Sequence, residues 1–148
     1  MKIKIKKFDD SVKTPELVHA RDYGYDVYAV SEEEVAPNVW KYGLGLAMQP
    51  IRESKYEGKK ICIDFRCRSS VWKTGMILSN CIGTIDEIYT GEVKAVFYHI
   101  MPNMPRYKVG DKIGQLALSI TEPMGFIEVE SLDKTDRGDG GFGSTGSK

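Results

Sequence analysis

At 148 residues the chain holds one domain of ordinary size, able to bury about 68–70% of its unfolded surface, and a second independent domain is excluded. Apolar residues at 41% and charged residues at 28% exclude the composition of a disordered chain. With 21 Lys+Arg against 21 Asp+Glu, no net field draws the whole surface to nucleic acid or to an anionic membrane, so any phosphate site has to be local.

The opening MKIKIKKFDD alternates Lys with Ile and lacks the apolar stretch of a signal peptide, and no apolar run approaches the ~18 residues of a membrane span. A cytoplasmic protein is expected, or one of the host cytoplasm if the source is viral. Cys62, Cys67 and Cys81 form no CxxC pair, which leaves neither a disulfide framework nor a cysteine zinc site. His19 and His99 are far apart in sequence and read as structural or surface residues.

Short apolar or alternating runs broken by turn residues follow one another along the chain. Ile3 to Phe8, Gly24 to Val30, Gly43 to Met48, Lys60 to Arg66, Met76 to Ser79, Gly91 to Ile100, Lys112 to Ile120 and Phe126 to Glu130 each have strand length and are rich in Val, Ile, Tyr and Phe. That spacing predicts an all-β sandwich, jelly roll or barrel. Helical periodicity is confined to Ser69 to Lys73, opened by two serines able to cap. From Asp133 the composition changes to DKTDRGDGGFGSTGSK, with five glycines and no aliphatic residue. Such a segment buries too little to offset its ordering entropy, yet Arg137, Phe142, Ser144 and Thr145 are what a phosphate-closing lid needs. GDGGFG within it matches GxGxxG, but such a fingerprint must open a helix inside a βαβ unit and only five residues follow, so the dinucleotide reading fails on context.

Four internal segments carry polar chemistry. GYDVYAV sets Asp26 among apolar strand residues, read from the sequence as a solvated carboxylate at a strand end or as a functional group. Arg68, Ser69 and Ser70 follow a β-rich run, where orphan N–H groups and hydroxyls could hold an anion or merely cap. NCIGTIDEIY, from Asn80 to Tyr89, reads as a hairpin or tight loop leading into Asp86. VGDKIGQLAL gives a Gly-Asp turn into a strand carrying Gln115.

GYDVYAV, RSSVWKTG, NCIGTIDEIYTGEV, GDKIGQLAL and RGDGGFGSTG stand in the order, and near the spacings, of the five motifs of trimeric dUTP diphosphatases, and the chain resembles that family over nearly its whole length. The resemblance implies a β-jelly roll of the dUTPase type with at most one or two short helices, a core over residues 1–132 and a lid over 133–148. It implies a homotrimer whose three sites lie between subunits, with one subunit's tail closing over a neighbour's site. The implied activity is hydrolysis of dUTP to dUMP and pyrophosphate, which keeps uracil out of DNA and supplies dUMP for thymidylate synthesis. By the same resemblance Asp86 activates the water that attacks the α-phosphorus. An aspartate is a weak base, so positioning must supply much of the rate. Ser69 falls on the α–β bridging oxygen, and Arg68 and Ser70 on neighbouring phosphate oxygens. Asn80, Thr84 and Ile85 belong to the loop that reads uracil, and Tyr89 lies under deoxyribose and excludes a 2′-hydroxyl. Gln115 contacts phosphate or supports the neighbouring Arg. Phe142 stacks on the base, Arg137 grips the γ-phosphate, and Gly143, Ser144 and Thr145 add hydroxyl and backbone contacts. A Mg²⁺ held mainly by phosphate and water is implied, with Asp26 reaching it only through water.

Three positions depart from the family pattern. Cys67 replaces the usual Pro, Trp72 a smaller residue and Ile88 a frequent second acid, while Lys94 has no assigned role. Two rivals stand beside the resemblance: a dCTP deaminase of the same fold, for which Glu92 would be the proton shuttle, and a dUTPase-like regulatory binding protein gated by nucleotide.

Overall fold

The computed structural model describes residues 1–141, and the all-β class is borne out. Ten strands are present: β1 Ile3–Lys7, β2 Tyr25–Tyr28, β3 Ser31–Ala36, β4 Val39–Gly43, β5 Leu46–Pro50, β6 Lys60–Cys67, β7 Met76–Leu78, β8 Gly83–Asp86, β9 Lys94–His99 and β10 Lys112–Thr121. Two 3₁₀ turns, Ser54–Tyr56 and Val71–Thr74, interrupt them. The strands form a pair β1-β5 and two four-stranded sheets in the orders β2-β10-β6-β8 and β3-β4-β9-β7, with every pairing antiparallel.

Alternation builds the core. Along β9, Ala95, Phe97 and His99 turn inward while Lys94 and Tyr98 face out. Phe97 meets Tyr42 edge-on at 5.8 Å and Tyr107 at 5.5 Å between ring centroids, and Phe65 joins at 6.2 Å. Phe65 needs a glycine on the neighbouring strand, because a Cβ at Gly114 would lie 2.2 Å from its ring.

Several elements differ from the sequence reading. The charged run Ser31 to Ala36 pairs with Val39–Gly43 as a hairpin, turned by Pro37 and by Asn38 at a φ of 61°. The predicted strand Gly43 to Met48 is divided, Gly43 closing β4 and Leu46 opening β5. Helical structure near the serines is shorter than Ser69 to Lys73 and shifted to Val71–Thr74. Phe126 to Glu130 pairs with nothing among the described residues and lies exposed. No helix among those residues is long and apolar enough to cross a membrane.

Candidate active site

On the sheet β2-β10-β6-β8, one face packs into the core and the other carries polar groups in register. Gln115 stands opposite Asp26 on one side and Arg66 on the other, and Asp86 stands opposite Cys62. Arg66, Asp64 and Cys62 share a face by the two-residue period, so Asp26, Gln115, Asp64 and Asp86 all lie on it.

Asp26 is not the solvated strand-end carboxylate of the plain reading. It is 4% exposed, and both its oxygens are engaged, Oδ2 by Lys112 Nζ at 2.6 Å and Oδ1 by Gln115 Nε2 at 3.0 Å. Burial alone raises its pKa; the hydrogen bonds from Lys112 and Gln115, with the charges of Lys112 and Arg68, outweigh that and hold it below the usual carboxylate range. Lys112 and Gln115 are three apart and would point to opposite faces of a regular strand. A bulge between Lys112 and Gly114 brings both to Asp26. The approach is close enough that a Cβ at Gly24 would lie 2.8 Å from Gln115 Cβ.

Arg68, Ser69 and Ser70 leave the end of β6 beside this trio. Ser70 occupies the cap position of the Val71–Thr74 turn without capping it, so its hydroxyl stays available. A cleft of about 320 Å³ here is lined by Arg68, Ser70, Lys73, Arg106 and Lys112, with Asp111 the one acid. Arg106 is held at its wall by Glu32 at 2.9 Å and by stacking 3.4 Å from the Trp40 ring centroid. Trp72 is exposed, beneath Lys73.

The second group lies along β8, whose outer edge is unpaired among the described residues. A free strand edge offers backbone N–H and C=O groups, which suits hydrogen bonding to a base edge. Thr84, Ile85, Asp86, Tyr89, Glu92 and Lys94 line a cleft of about 240 Å³ beside it. Tyr89 N–H closes a turn onto the Asp86 carbonyl at 2.9 Å, and its hydroxyl donates to the Glu92 carbonyl at 3.0 Å. Gly91 makes room for that ring, since a Cβ there would meet the Tyr89 hydroxyl at 2.6 Å. At Asn80 the loop starts with a three-residue turn closed by Ile82 N–H, and Cys81 at its centre has a φ of 57°, a strained conformation for a residue with a side chain.

The Glu92 carboxylate accepts from Gly45 N–H at 3.0 Å and pairs with Lys94 at 3.3 Å. Lys94 thereby gains a place at the wall of the cleft beside β8. Asp64, 6% exposed, accepts from Ser119 at 2.6 Å, Thr84 at 3.3 Å and Arg66 at 3.1 Å. Burial raises its carboxyl and those three bonds hold it below its ordinary value. Lys112, Asp64 and Lys94 carried no role in the sequence reading. The one signal for Lys112 was its place three residues before Gln115, which points to a shared face only once the bulge is known.

The two groups do not meet in one chain. Cys62, opposite Asp86, and Cys67, which leads to Arg68 and Ser69, are five residues apart on β6, about 16 Å at ~3.3 Å per residue. Arg137 donates to the Gly140 carbonyl at 2.8 Å in a local turn of its own. Phe142, Gly143, Ser144 and Thr145 lie outside the described residues.

Comparison with known proteins shows the family. The dUTPase family model matches residues 10–146. The deoxyuridine 5'-triphosphate nucleotidohydrolase of Helicobacter pylori (strain P12) is 35% identical over 146 residues, spanning 99% of this chain and 97% of that protein. The Corynebacterium glutamicum protein of the same name is 35% identical over 147 residues, 97% and 94% of the two chains. In fold, the chain is similar to a variant of the Staphylococcus bacteriophage 80alpha dUTPase solved with dUpNHpp, with a TM-score of 0.79 at 20% identity and 98% of each chain covered. A phage phi11 dUTPase variant, solved with a structural Mg(II) ion, matches with a TM-score of 0.70 at 18% identity, over 90% of this chain and 100% of that one. The chain belongs to the dUTPase family.

Proposed function

We propose that the protein hydrolyses dUTP to dUMP and pyrophosphate at sites that are each built from more than one copy of the chain, in a homotrimer. The observation that carries the shared site is the separation of Asp86 from Ser69. Both have to act at one α-phosphorus, where reacting atoms approach to ~3–3.5 Å. Side chains as short as Asp and Ser do not span about 16 Å of sheet. Asp86 of one copy therefore serves the phosphates held by Arg68, Ser69 and Gln115 of another.

Within such a site each group has one task. Tyr89 and the free edge of β8 hold the deoxynucleoside, the edge reading uracil through backbone groups and the ring leaving no room for a 2′-hydroxyl. Asp86 orients the water and takes its proton. The Ser69 hydroxyl donates to the α–β bridging oxygen as charge develops on the leaving pyrophosphate, and Arg68 and Ser70 hold neighbouring oxygens. Gln115 has one amide N–H on Asp26, which leaves the second for a phosphate oxygen. Arg137, Phe142, Gly143, Ser144 and Thr145 close the site from the C-terminal segment.

The donor set fits a Mg²⁺ carried by the triphosphate. Asp26 has both oxygens engaged by Lys112 and Gln115 and reaches such an ion only through water. When bound, the ion supplies neutralisation of phosphate charge.

The segment after β10 supports assembly. Met124, Phe126, Ile127 and Leu132 are at least 80% exposed, an arrangement a lone chain does not stabilise. The same chain has an apolar groove of about 270 Å³ lined by Ile3, Ile5, Met48, Ile63, Leu116 and Leu118, beside the edge of β1 that is unpaired among the described residues. Lys4 and Lys6 alternate with Ile3 and Ile5 on that edge, and Glu128 and Glu130 flank Val129 in the segment, so charges and apolar groups match when one copy's segment lies on another's β1.

Glu92 is bound to Gly45 and Lys94, which disfavours a proton shuttle and with it the deaminase reading. The test is ³¹P NMR with Mg²⁺ and dUTP, dTTP, dCTP or UTP in separate tubes. Pyrophosphate from dUTP alone is expected. Ammonia from dCTP, or no turnover of bound dUTP, would overturn the reading.

A further inference from the structure

Asp86 ends a four-residue edge strand and begins a turn, a poor foundation for a group that must place a water to within a few tenths of an ångström. The ladder with β6 holds Gly83 to Asp86, and the Tyr89 ring has its own bond to the Glu92 carbonyl. Between them, the turn has one backbone bond, Tyr89 N–H to the Asp86 carbonyl. Glu87, next to Asp86, is gripped from outside. Its Oε1 accepts from Arg52 Nε at 3.1 Å and its Oε2 from Arg52 Nη2, a two-bond fork. The remaining Arg52 nitrogen, Nη1, donates to the carbonyls of Tyr56 at 2.8 Å and Lys59 at 3.2 Å. Every nitrogen of the guanidinium is thus engaged, and the loop that wraps the Ser54–Tyr56 turn is fastened to the residue beside Asp86.

We propose that Arg52 is a positioning residue that acts through Glu87 to fix the carboxylate of Asp86; the proposal rests on Asp86 being the water-activating group. The alternative is an ordinary surface ion pair, and the two differ in what its loss does. Arg52 and Glu87 are both partly exposed, and such pairs contribute little to folding stability. A purely structural pair therefore leaves kcat alone. A clamp on the catalytic turn lowers kcat while KM moves less, because the base edge stays held by β6 and Tyr89 by Glu92.

Arg52→Gln, Glu87→Gln and the double variant test this, with Arg52→Lys keeping the charge but losing the fork. The expected result is a kcat lower by about tenfold in each single variant, no further loss in the double, and only partial recovery in Arg52→Lys. Tm is expected to stay within about 2 °C of the parent in all four. Unchanged kcat in the single variants, losses that multiply in the double, or a kcat loss that only tracks a fall in Tm would overturn the clamp. Asp86→Asn measured alongside separates the two ideas. Normal turnover there removes the role of Asp86 and the clamp with it, whereas an inactive Asp86→Asn beside a fully active Arg52→Gln overturns the clamp alone.

Discussion

In the proposed site, the phosphate side and the base side are built by opposite means. Asp26, on the edge strand β2, is buried and held by Lys112 and Gln115 of the inner strand β10, where a bulge turns two side chains to one carboxylate. Asp86 and Tyr89 sit on an edge strand and the turn after it, where the edge left unpaired among the described residues presents backbone N–H and C=O groups. A triphosphate asks for charge held rigidly in place, and a half-buried ion pair supplies it before substrate arrives. A base asks for a row of donors and acceptors, which an unpaired strand edge already has. The cost of leaving that edge open is a turn that needs fastening from elsewhere.

The largest expected effect lies on the base side. Asp86→Asn is expected to lower kcat by about 10³-fold or more while the affinity for dUTP changes only a few-fold, measured by turnover and by titration calorimetry. Equal losses in affinity would make Asp86 a binding group and blur the contrast. Next comes removal of residues 137–148, expected to cost most of the activity with an unchanged circular dichroism spectrum. Full activity in the truncated protein would show that the two sides suffice without a closing segment.

On the phosphate side, Asp26→Asn strips Lys112 of its partner and is expected to cost about 2–3 kcal/mol of stability in urea unfolding, somewhat under the value for a fully buried pair because Lys112 is partly exposed. Asp86→Asn is expected to cost almost none, and a comparable loss there would erase the distinction between the two regions. The sign of the pH dependence follows. Asp26 and Asp64 titrate below their ordinary values in the folded chain, so they stabilise it above the unfolded pKa of ~3.9, and that stability is lost as pH falls through their folded values. Tm should therefore drop below about pH 4, and by less in Asp26→Asn than in the parent. The smallest effect expected is that of Glu128→Lys with Glu130→Lys, which should weaken assembly by about tenfold on sedimentation while leaving the core's far-UV spectrum intact.

What was legible in the sequence depended on how far each feature reaches. Strands β6, β9 and β10 declare themselves through alternation, since each residue's side is decided by its immediate neighbours. The β3-β4 hairpin was missed because SEEEV has charge on both sides, and only Asn38 at positive φ marks its turn. Phe126 to Glu130 has the pattern of a strand and no partner among the described residues, which is what a segment that pairs with another copy looks like from one copy. Asp26 stayed open between a solvated and a functional carboxylate because Lys112 lies 86 residues away and reaches it only across a bulge. The motifs set Asp86 and Ser69 on separate segments, but nothing local states how far one chain holds those segments apart.

Mixing two inactive parents tests the shared site most directly. Asp86→Asn and Arg68→Ala with Ser69→Ala are each expected to be inactive alone. If copies exchange after unfolding and refolding together, some sites combine an intact Asp86 from one parent with an intact Arg68 and Ser69 from the other, and dUTP hydrolysis returns. Mixed oligomers confirmed by native mass spectrometry that stay as inactive as both parents would contradict a site built between copies.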